Sequence, residues 1–206
     1  MKLLFFGPQG SGKGTQAVVI SQKLNIPHIS VGDLLRGTTG VLKIELDSYM
    51  NQGKLVPDEL TIKILKERLL NNDCKKGFIL DGFPRNLNQL EMLKNITAID
   101  KAIEITLTDD ESIKRISGRV TCEKCKAGYN ELTSPKPQEP GVCDVCEGKL
   151  IRRSDDNPEA VKKRLHTYHQ DTEPILNSFK EKLIKINGIQ PIEKITQEIL
   201  EKLKKK

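Results

Sequence analysis

"KLLFFGPQGSGKGTQ", residues 2–16, is an apolar run that breaks on a glycine-rich turn carrying a lysine. Lys2 to Phe6 reads as a buried strand, and the stretch after the turn reads as a helix to about Leu24. Gly7, Gly12 and Lys13 have the spacing of a phosphate loop, G-x-x-x-x-G-K. Its glycines let successive backbone N–H groups turn inward on phosphate oxygens, and the helix N-terminus adds favourable partial charge. Lys13 then reaches the terminal phosphates. Thr15 stands one place later than the usual Ser/Thr of this motif, because Gly14 intervenes. A glycine turn with no ligand would not need strand, lysine and helix in this order.

Working outward, the chain repeats the strand–helix alternation. "IPHIS" (26–30) is a second short apolar run, followed by helical patterns over 41–52 and 58–71. "GFILDG" (77–82) and "AIEITL" (102–107) are further strands, and "KLIKIN" (182–187) is the last. Asn157 and Pro158 start another helix, as cap and first-turn residue. Ile192, Ile195, Ile199 and Leu203 mark one face of a terminal helix. Strands alternating with helices predict an α/β fold: a doubly wound parallel sheet with helices on both faces. The Pro-, Gly- and Cys-rich segment 121–148 breaks the rhythm and reads as an insertion.

Composition narrows the class. The 206 residues are 30% charged and 36% hydrophobic with no tryptophan, which suits a soluble globular chain. The formal charge of +6 fits nucleic acid, but equally a site that holds several phosphates. Part of it comes from Lys202, Lys204, Lys205 and Lys206, read as a solvated, frayed helix end. The apolar run of "MKLLFF" stops at Gly7, too short for a signal peptide, so a cytoplasmic location is expected. There, paired cysteines read as metal ligands before disulfides.

Four of the five cysteines form two Cys-x-x-Cys pairs, Cys122/Cys125 and Cys143/Cys146, separated by residues 126–142. The pattern suits one tetrahedral Zn²⁺ whose four thiolates leave no open position, hence a structural ion. A redox pair lacks a thioredoxin-like context. A nucleic-acid zinc ribbon would want basic and aromatic residues, where this block offers mainly Tyr129 among Glu123, Glu131, Glu139, Asp144 and Glu147. A staple for roughly thirty residues that cannot bury a core of their own fits best. Cys74 reads as a packed thiol.

"DGFPR" (81–85) puts Asp81 at the carboxyl end of the third strand, where a carboxylate beside a phosphate loop can hold water on magnesium. Arg85 can fork two hydrogen bonds to a phosphate. Arg36, Arg115, Arg119, Arg153 and Arg164 recur at turns and helix ends; their convergence would suit phosphoryl transfer, whose loose transition state is stabilised by position and positive charge. For Arg152–Arg153 and Asp155–Asp156, the plain alternative is mutual salt bridging.

"GPQGSGKGTQ", "SVGDLLR", "GKLVPDEL", "GFILDGFPRNLNQ", "RISGRV", "RRSDDNPEAVKKRLHTYH" and "INGIQPI" occur in the order and spacing of adenylate kinases. Over essentially its whole length the chain resembles the long form of that family, with a zinc-bearing lid. The resemblance implies a core P-loop domain of residues 1–29, 57–117 and 157–206, an AMP-binding insert at 30–56 and a lid at 118–156. It implies transfer of a phosphoryl group from MgATP to AMP, giving two ADP, by a cytoplasmic monomer with no nucleic-acid or membrane partner. Gly10, Ser11, Gly12, Lys13, Gly14 and Thr15 would bind the ATP phosphates. Arg115, Arg119, Gly128, Tyr129 and the backbone at Gln190 would meet the rest of ATP. Arg36 and Arg85 would hold the AMP phosphate. Val31, Lys54, Leu55, Val56, Gly82, Phe83, Pro84 and Gln89 would complete the AMP site, with Phe83–Pro84 as a cis-proline turn. Arg153 and Arg164 would bridge the two phosphate chains, and the catalytic set would comprise Lys13, Asp81, Arg85, Arg119, Arg153, Asp155 and Arg164.

Two departures from the family pattern bear on substrate choice. Val31 stands where bacterial members usually carry a threonine, so base selection leans on Gln89. The monophosphate insert is about three residues shorter. The rival readings are a kinase for UMP or CMP and, from another class, a P-loop ATPase or nucleic-acid-binding protein using its zinc ribbon to hold a partner.

Overall fold

The computed structural model describes residues 1–52 and 54–204. The chain opens with β1 (Lys2–Phe6), α1 (Lys13–Leu24), β2 (His28–Ser30), α2 (Val31–Gly37) and α3 (Val41–Met50). It continues through α4 (Asp58–Leu69), β3 (Phe78–Asp81), α5 (Leu87–Lys94), β4 (Lys101–Thr106) and α6 (Asp109–Ser117). Three short strands follow: β5 (Arg119–Cys122), β6 (Gly128–Asn130) and β7 (Leu150–Ile151). Helix α7 (Pro158–Thr167) runs into a π-helical turn (Tyr168–Thr172) and a 3-10 segment (Glu173–Phe179) before β8 (Leu183–Asn187) and α8 (Ile192–Lys204). Lys204 is still helical, whereas Lys205, Lys206 and Gly53 lie outside the described residues.

Strand β1 is apolar at successive positions because both of its faces are covered. Leu3 and Phe5 pack with Ala17 and Ile20 of α1 and with Ile195 and Ile199 of α8. Leu4 and Phe6 face the other way, into Leu35, Leu65, Leu90, Leu93 and Phe179. Each such side chain contributes about 2 kcal/mol on burial, so a polar residue anywhere in the run would weaken the sheet at its centre. The sheet is parallel throughout, in the order β2–β3–β1–β4–β8. This is the expected doubly wound fold. Its order reverses beside β1, with β2 and β3 on one side and β4 and β8 on the other. Such a switch point opens a crevice at the carboxyl ends of the strands. Registers Phe5↔Asp81 and Ser30↔Asp81 bring the exits of β1, β2 and β3 together at that crevice.

Local chemistry sets where the helices start. Ser30, Asn86, Thr108 and Asn157 each accept a hydrogen bond from the backbone N–H three residues on, and Pro158 occupies the first turn of α7. Helix α1 differs, since its N-cap is Gly12 at φ 89° and it has no side-chain cap. Its first N–H groups are left for a ligand.

The segment expected as an insertion forms a second, antiparallel sheet, β6–β5–β7, extended by a bridge between Val142 and Lys149. Its apolar core is small: Val120, Tyr129 and Leu150 around Cys122 and Cys143. Helices α2 and α3 form the other insertion, anchored to the main core through Val31, Leu35, Leu46 and Val56. The two insertions meet where Ser154 Oγ donates to Asn51 Oδ1 at 2.9 Å.

Candidate functional site

A cleft of about 1060 Å³ lies at the switch point, between the main sheet and the two insertions. Its floor is the loop between β1 and α1. Gly10 and Gly12 take φ values of 77° and 89°, which only glycine adopts without strain, and Ser11 N–H donates to the Pro8 carbonyl at 3.2 Å. Lys13 Nζ lies 3.2 Å from that same carbonyl, so its ammonium curls over the loop. Ser11 Oγ and Gln9 Oε1 are buried without hydrogen-bond partners, polar atoms left over within the loop. Ser112 Oγ donates to the Gln9 carbonyl, while Arg115 donates to the carbonyls of Gly10 (3.3 Å) and Gly188 (3.0 Å), bracing the loop from α6.

Asp81 leaves β3 beside this loop, close enough that a Cβ on Gly14 would lie 3.2 Å from its Oδ2. Burial would raise its carboxyl pKa, but the adjacent His28 and the charges of Lys13 and Arg85 hold it below the ordinary value. His28 Nε2 stands 3.4 Å from the same oxygen. Sequence reasoning missed this histidine; its signal was the alternation of β2, which turns His28 and Ser30 to one face at the strand end. Burial also pushes the Lys13 ammonium down to about 8; Asp81 opposes the shift, and Arg85, Arg119 and Arg164 add to it.

All six arginines singled out from the sequence line the cleft: Arg36, Arg85, Arg115, Arg119, Arg153 and Arg164. They come from α2, the β3 exit, α6, β5, the chain after β7, and α7. Nine lysines and arginines line the cleft against four carboxylates, an excess that suits a polyphosphate. Burial lowers the pKa of Arg153 to about 10, with Arg119 and Arg36 adding to the shift, and burial with Arg164 lowers that of Arg85. Guanidinium groups this crowded favour an incoming anion.

Carboxylates hold these cations in place. Asp155 Oδ2 lies 3.0 Å from Arg164 and 3.6 Å from Arg36, and Asp33 Oδ1 is 2.6 Å from Arg36. Asp156 accepts from Arg119 at 2.8 Å and from Arg164 at 2.9 Å. The expected alternative of mutual bridging within 152–156 is therefore corrected. Arg152 pairs with Glu131, and the carboxylate nearest Arg153 is Asp33 at 4.0 Å. The chain here is a turn, closed by Asp156 N–H on the Arg153 carbonyl, from which Ser154 reaches Asn51 while Asp155 and Asp156 both reach Arg164. Asp33 was not singled out by sequence reasoning, because an acid near a helix start reads first as a dipole partner.

The base-side candidates divide. Lys54, Leu55, Gly82, Phe83 and Pro84 line the cleft, and the Phe83–Pro84 peptide is cis. Val31, Val56 and Gln89 are not among its lining residues and are buried, at 2%, 5% and 2% exposure. On the opposite side Gly128, Tyr129 and Gln190 line the cleft. The Tyr129 hydroxyl points away from it, 3.6 Å from Cys143 Sγ, and accepts from Asp144 N–H at 3.0 Å.

The four lid-segment cysteines converge, with all Sγ atoms within 4.8 Å of one another. Cys122–Cys146 and Cys125–Cys143 are each 3.5 Å apart, and all are free thiols. A tetrahedron of thiolates at the Zn–S length of about 2.3 Å has S···S edges of about 3.8 Å, whereas a disulfide needs about 2.05 Å. The donor set thus fits a zinc-sized ion. Both knuckles close alike, with Lys126 and Glu147, each directly after a second cysteine, at φ 65° and 58°. Cys74 is buried in the main core, its sulfur 3.2 Å from Arg68.

Among the described residues, no helix is long and apolar enough to cross a membrane. The sequence profile of the family described as "Adenylate kinase" matches residues 5–184. An adenylate kinase of Acetivibrio thermocellus is 46% identical, with 98% of each chain covered. One from Archaeoglobus fulgidus is 45% identical over 99% of this chain and 100% of its own, and one from Caldicellulosiruptor saccharolyticus is 43% identical over 98% and 99%. With a phosphate loop at the switch point, six arginines on one cleft and likeness over the full length, the chain belongs to the adenylate kinase family.

Proposed function

We propose that this chain catalyses reversible phosphoryl transfer from MgATP to AMP, giving two ADP, and so balances the adenine nucleotides. The observation that carries the reading is the convergence of Lys13 and six arginines from separate elements on one cleft above an uncapped helix start. Residues 10–15 bind the ATP phosphates, Lys13 reaching the outermost. Arg119, Arg153 and Arg164 surround the moving phosphoryl group, whose loose transition state needs charge and position rather than covalent help. Arg36 and Arg85 hold the AMP phosphate, and Asp155 aims Arg164 and Arg36. No side chain has to act as a strong base, because an AMP phosphate oxygen is already the nucleophile. Mg²⁺ arriving with ATP would supply charge neutralisation, and the ionised Asp81 beside the phosphate loop would hold its water shell.

In this reading residues 118–156 are a lid over ATP, 30–56 the AMP insert, and 1–29, 57–117 and 157–206 the core. The contact between Ser154 and Asn51 supports a closure that excludes water, which would otherwise compete with AMP as acceptor. Gly128, Tyr129, Arg115 and Gln190 form the ATP base side. Lys54, Leu55, Val56, Val31 and Gln89 surround the AMP base beside Gly82, Phe83 and Pro84. Zn²⁺ on Cys122, Cys125, Cys143 and Cys146 supplies structure to the lid, not chemistry. The chain works as a monomer in the cytoplasm, a compartment suited to free paired thiols, and the reaction needs neither nucleic acid nor membrane.

A coupled assay of ADP formation against AMP, UMP, CMP and no acceptor tests the reading. ADP formation strictly dependent on AMP is expected. UMP or CMP exceeding AMP in kcat/KM would move the chain to another monophosphate. ATP hydrolysis stimulated by RNA or DNA would move it to another class.

A further inference from the structure

Asp58, the first residue of α4, lies outside the arginine and phosphate-loop machinery, yet its carboxylate gathers three side-chain amides. Asn86 Nδ2 donates to its two oxygens at 3.0 and 3.2 Å, Asn88 Nδ2 at 2.7 Å and Gln89 Nε2 at 2.7 Å. On the far side of the same glutamine, Arg85 N–H donates to Oε1 at 2.8 Å. A carboxylate only accepts and a backbone N–H only donates, so the Gln89 amide has a single orientation that satisfies both. Turning it over would set N–H against N–H at Arg85 and oxygen against oxygen at Asp58. The support is itself fixed, because Asn86 accepts from Gln89 N–H at 2.7 Å through Oδ1 while its Nδ2 faces Asp58.

We propose that Asp58 is a positioning residue for base selection: it locks the Gln89 amide so that the enzyme accepts a 6-aminopurine and rejects a 6-oxopurine. The inference rests on the reading of AMP as acceptor with Gln89 at its base. Once Asp58 and Arg85 are served, the amide keeps one proton and one lone pair, in a fixed order. Adenine presents an acceptor at N1 and a donor at its 6-amino group; hypoxanthine presents the reverse, N1–H and a 6-oxo acceptor. An amide free to turn over would pair with either. With Gln89 only 2% exposed, reorientation has little room, and any base contact is with the edge that its two partners leave unused.

The test compares kcat/KM for AMP and inosine monophosphate at saturating ATP in wild type, Asp58→Asn, Asp58→Ala and Gln89→Leu, with ATP KM and Tm for each. Asp58→Asn is nearly isosteric and guards against a variant that fails to fold. The AMP preference should fall by about fivefold in both Asp58 variants, as expected when one orienting hydrogen bond of about 1 kcal/mol is lost. The change should lie in the monophosphate KM, with ATP KM within twofold. A purely structural role would lower Tm and both substrates together; an unchanged AMP-to-inosine monophosphate ratio in both variants overturns the proposal. Gln89→Leu separates the layers. If it leaves AMP kcat/KM intact, Gln89 is not the base reader and the underlying reading fails; if it impairs AMP while the Asp58 variants keep the ratio, only the locking role fails.

Discussion

Binding of ATP should take up a proton at Lys13, because the site holds that lysine under conditions that disfavour its charge. Its pKa is lowered from 10.5 to about 8, by burial first and then by Arg85, Arg119 and Arg164 against the opposing pull of Asp81. Phosphate oxygens next to the ammonium reverse the balance and return it toward its ordinary value. At pH 8.5 a group with a pKa near 8 is about one-quarter protonated, and near 10.5 it is almost fully so, giving an uptake of about three-quarters of a proton. At pH 7 the same arithmetic leaves about one-tenth. Above pH 8 the proton must be drawn from solution, so ATP affinity should weaken as pH rises. The perturbation is therefore pH, and the assay is titration calorimetry of a non-hydrolysable ATP analogue with Mg²⁺ in buffers of different ionisation enthalpy. At pH 8.5 the analogue's phosphates are fully ionised, and Arg153, at about 10, adds little. Lys13→Met should abolish both the uptake and turnover while leaving Tm nearly unchanged, since Lys13 faces the cleft and not the core. Equal heats in all buffers at pH 8.5, or an uptake that survives Lys13→Met, would refute the reasoning. So would turnover of the variant within a few-fold of wild type.

Three further outcomes follow from other parts of the structure. Arg85→Ala should lower kcat/KM for AMP by at least about two orders of magnitude, roughly 3 kcal/mol for a lost charge-assisted fork, and a change confined to ATP binding would show the assignment to be wrong. Metal analysis should find about one zinc per chain in sulfur ligation; changing Cys143 and Cys146 to Ser should lower Tm yet spare the parallel sheet, and cobalt or cadmium should give nearly the same turnover. Strongly metal-dependent rates would make the ion catalytic. His169 bridges Glu173 at 2.8 Å and Asp109 at 2.9 Å, and its pKa is raised by the Glu173 hydrogen bond and then that of Asp109. A raised histidine stabilises the fold fully below its unfolded pKa and ceases to do so as pH rises through the folded value. His169→Gln should therefore lower Tm at pH 5.5, by at most about 1 kcal/mol in stability for so exposed a group, and have no effect at pH 9. An equal loss at both values would exclude the charge.

The parts of this molecule legible in sequence are those whose physics is local. Residues 2–16 contain strand, turn and helix start in one run, and both faces of β1 can be read from its unbroken apolar character. Asn157 and Pro158 gave away the start of α7 because capping acts over three residues. The small sheet was not legible: strands of two to four residues such as β5, β6 and β7 show no alternation, and their pairing is set by a metal-sized thiol cluster from two distant knuckles. Nor were the counterions. Six arginines facing one cleft cannot all be desolvated without partners, and the sequence gives no rule for which acids supply them. Asp155 finds Arg164 across the start of α7 and Arg36 from the other insertion, while Asp156 joins Arg119 of β5 to Arg164. These pairings join elements far apart in the chain, so only the folded arrangement reveals them. They also bear on selectivity. The carboxylates hold the guanidinium groups in place and offset part of their charge, so a singly charged anion gains little there. A phosphate chain brings several charges to the same arginines at once.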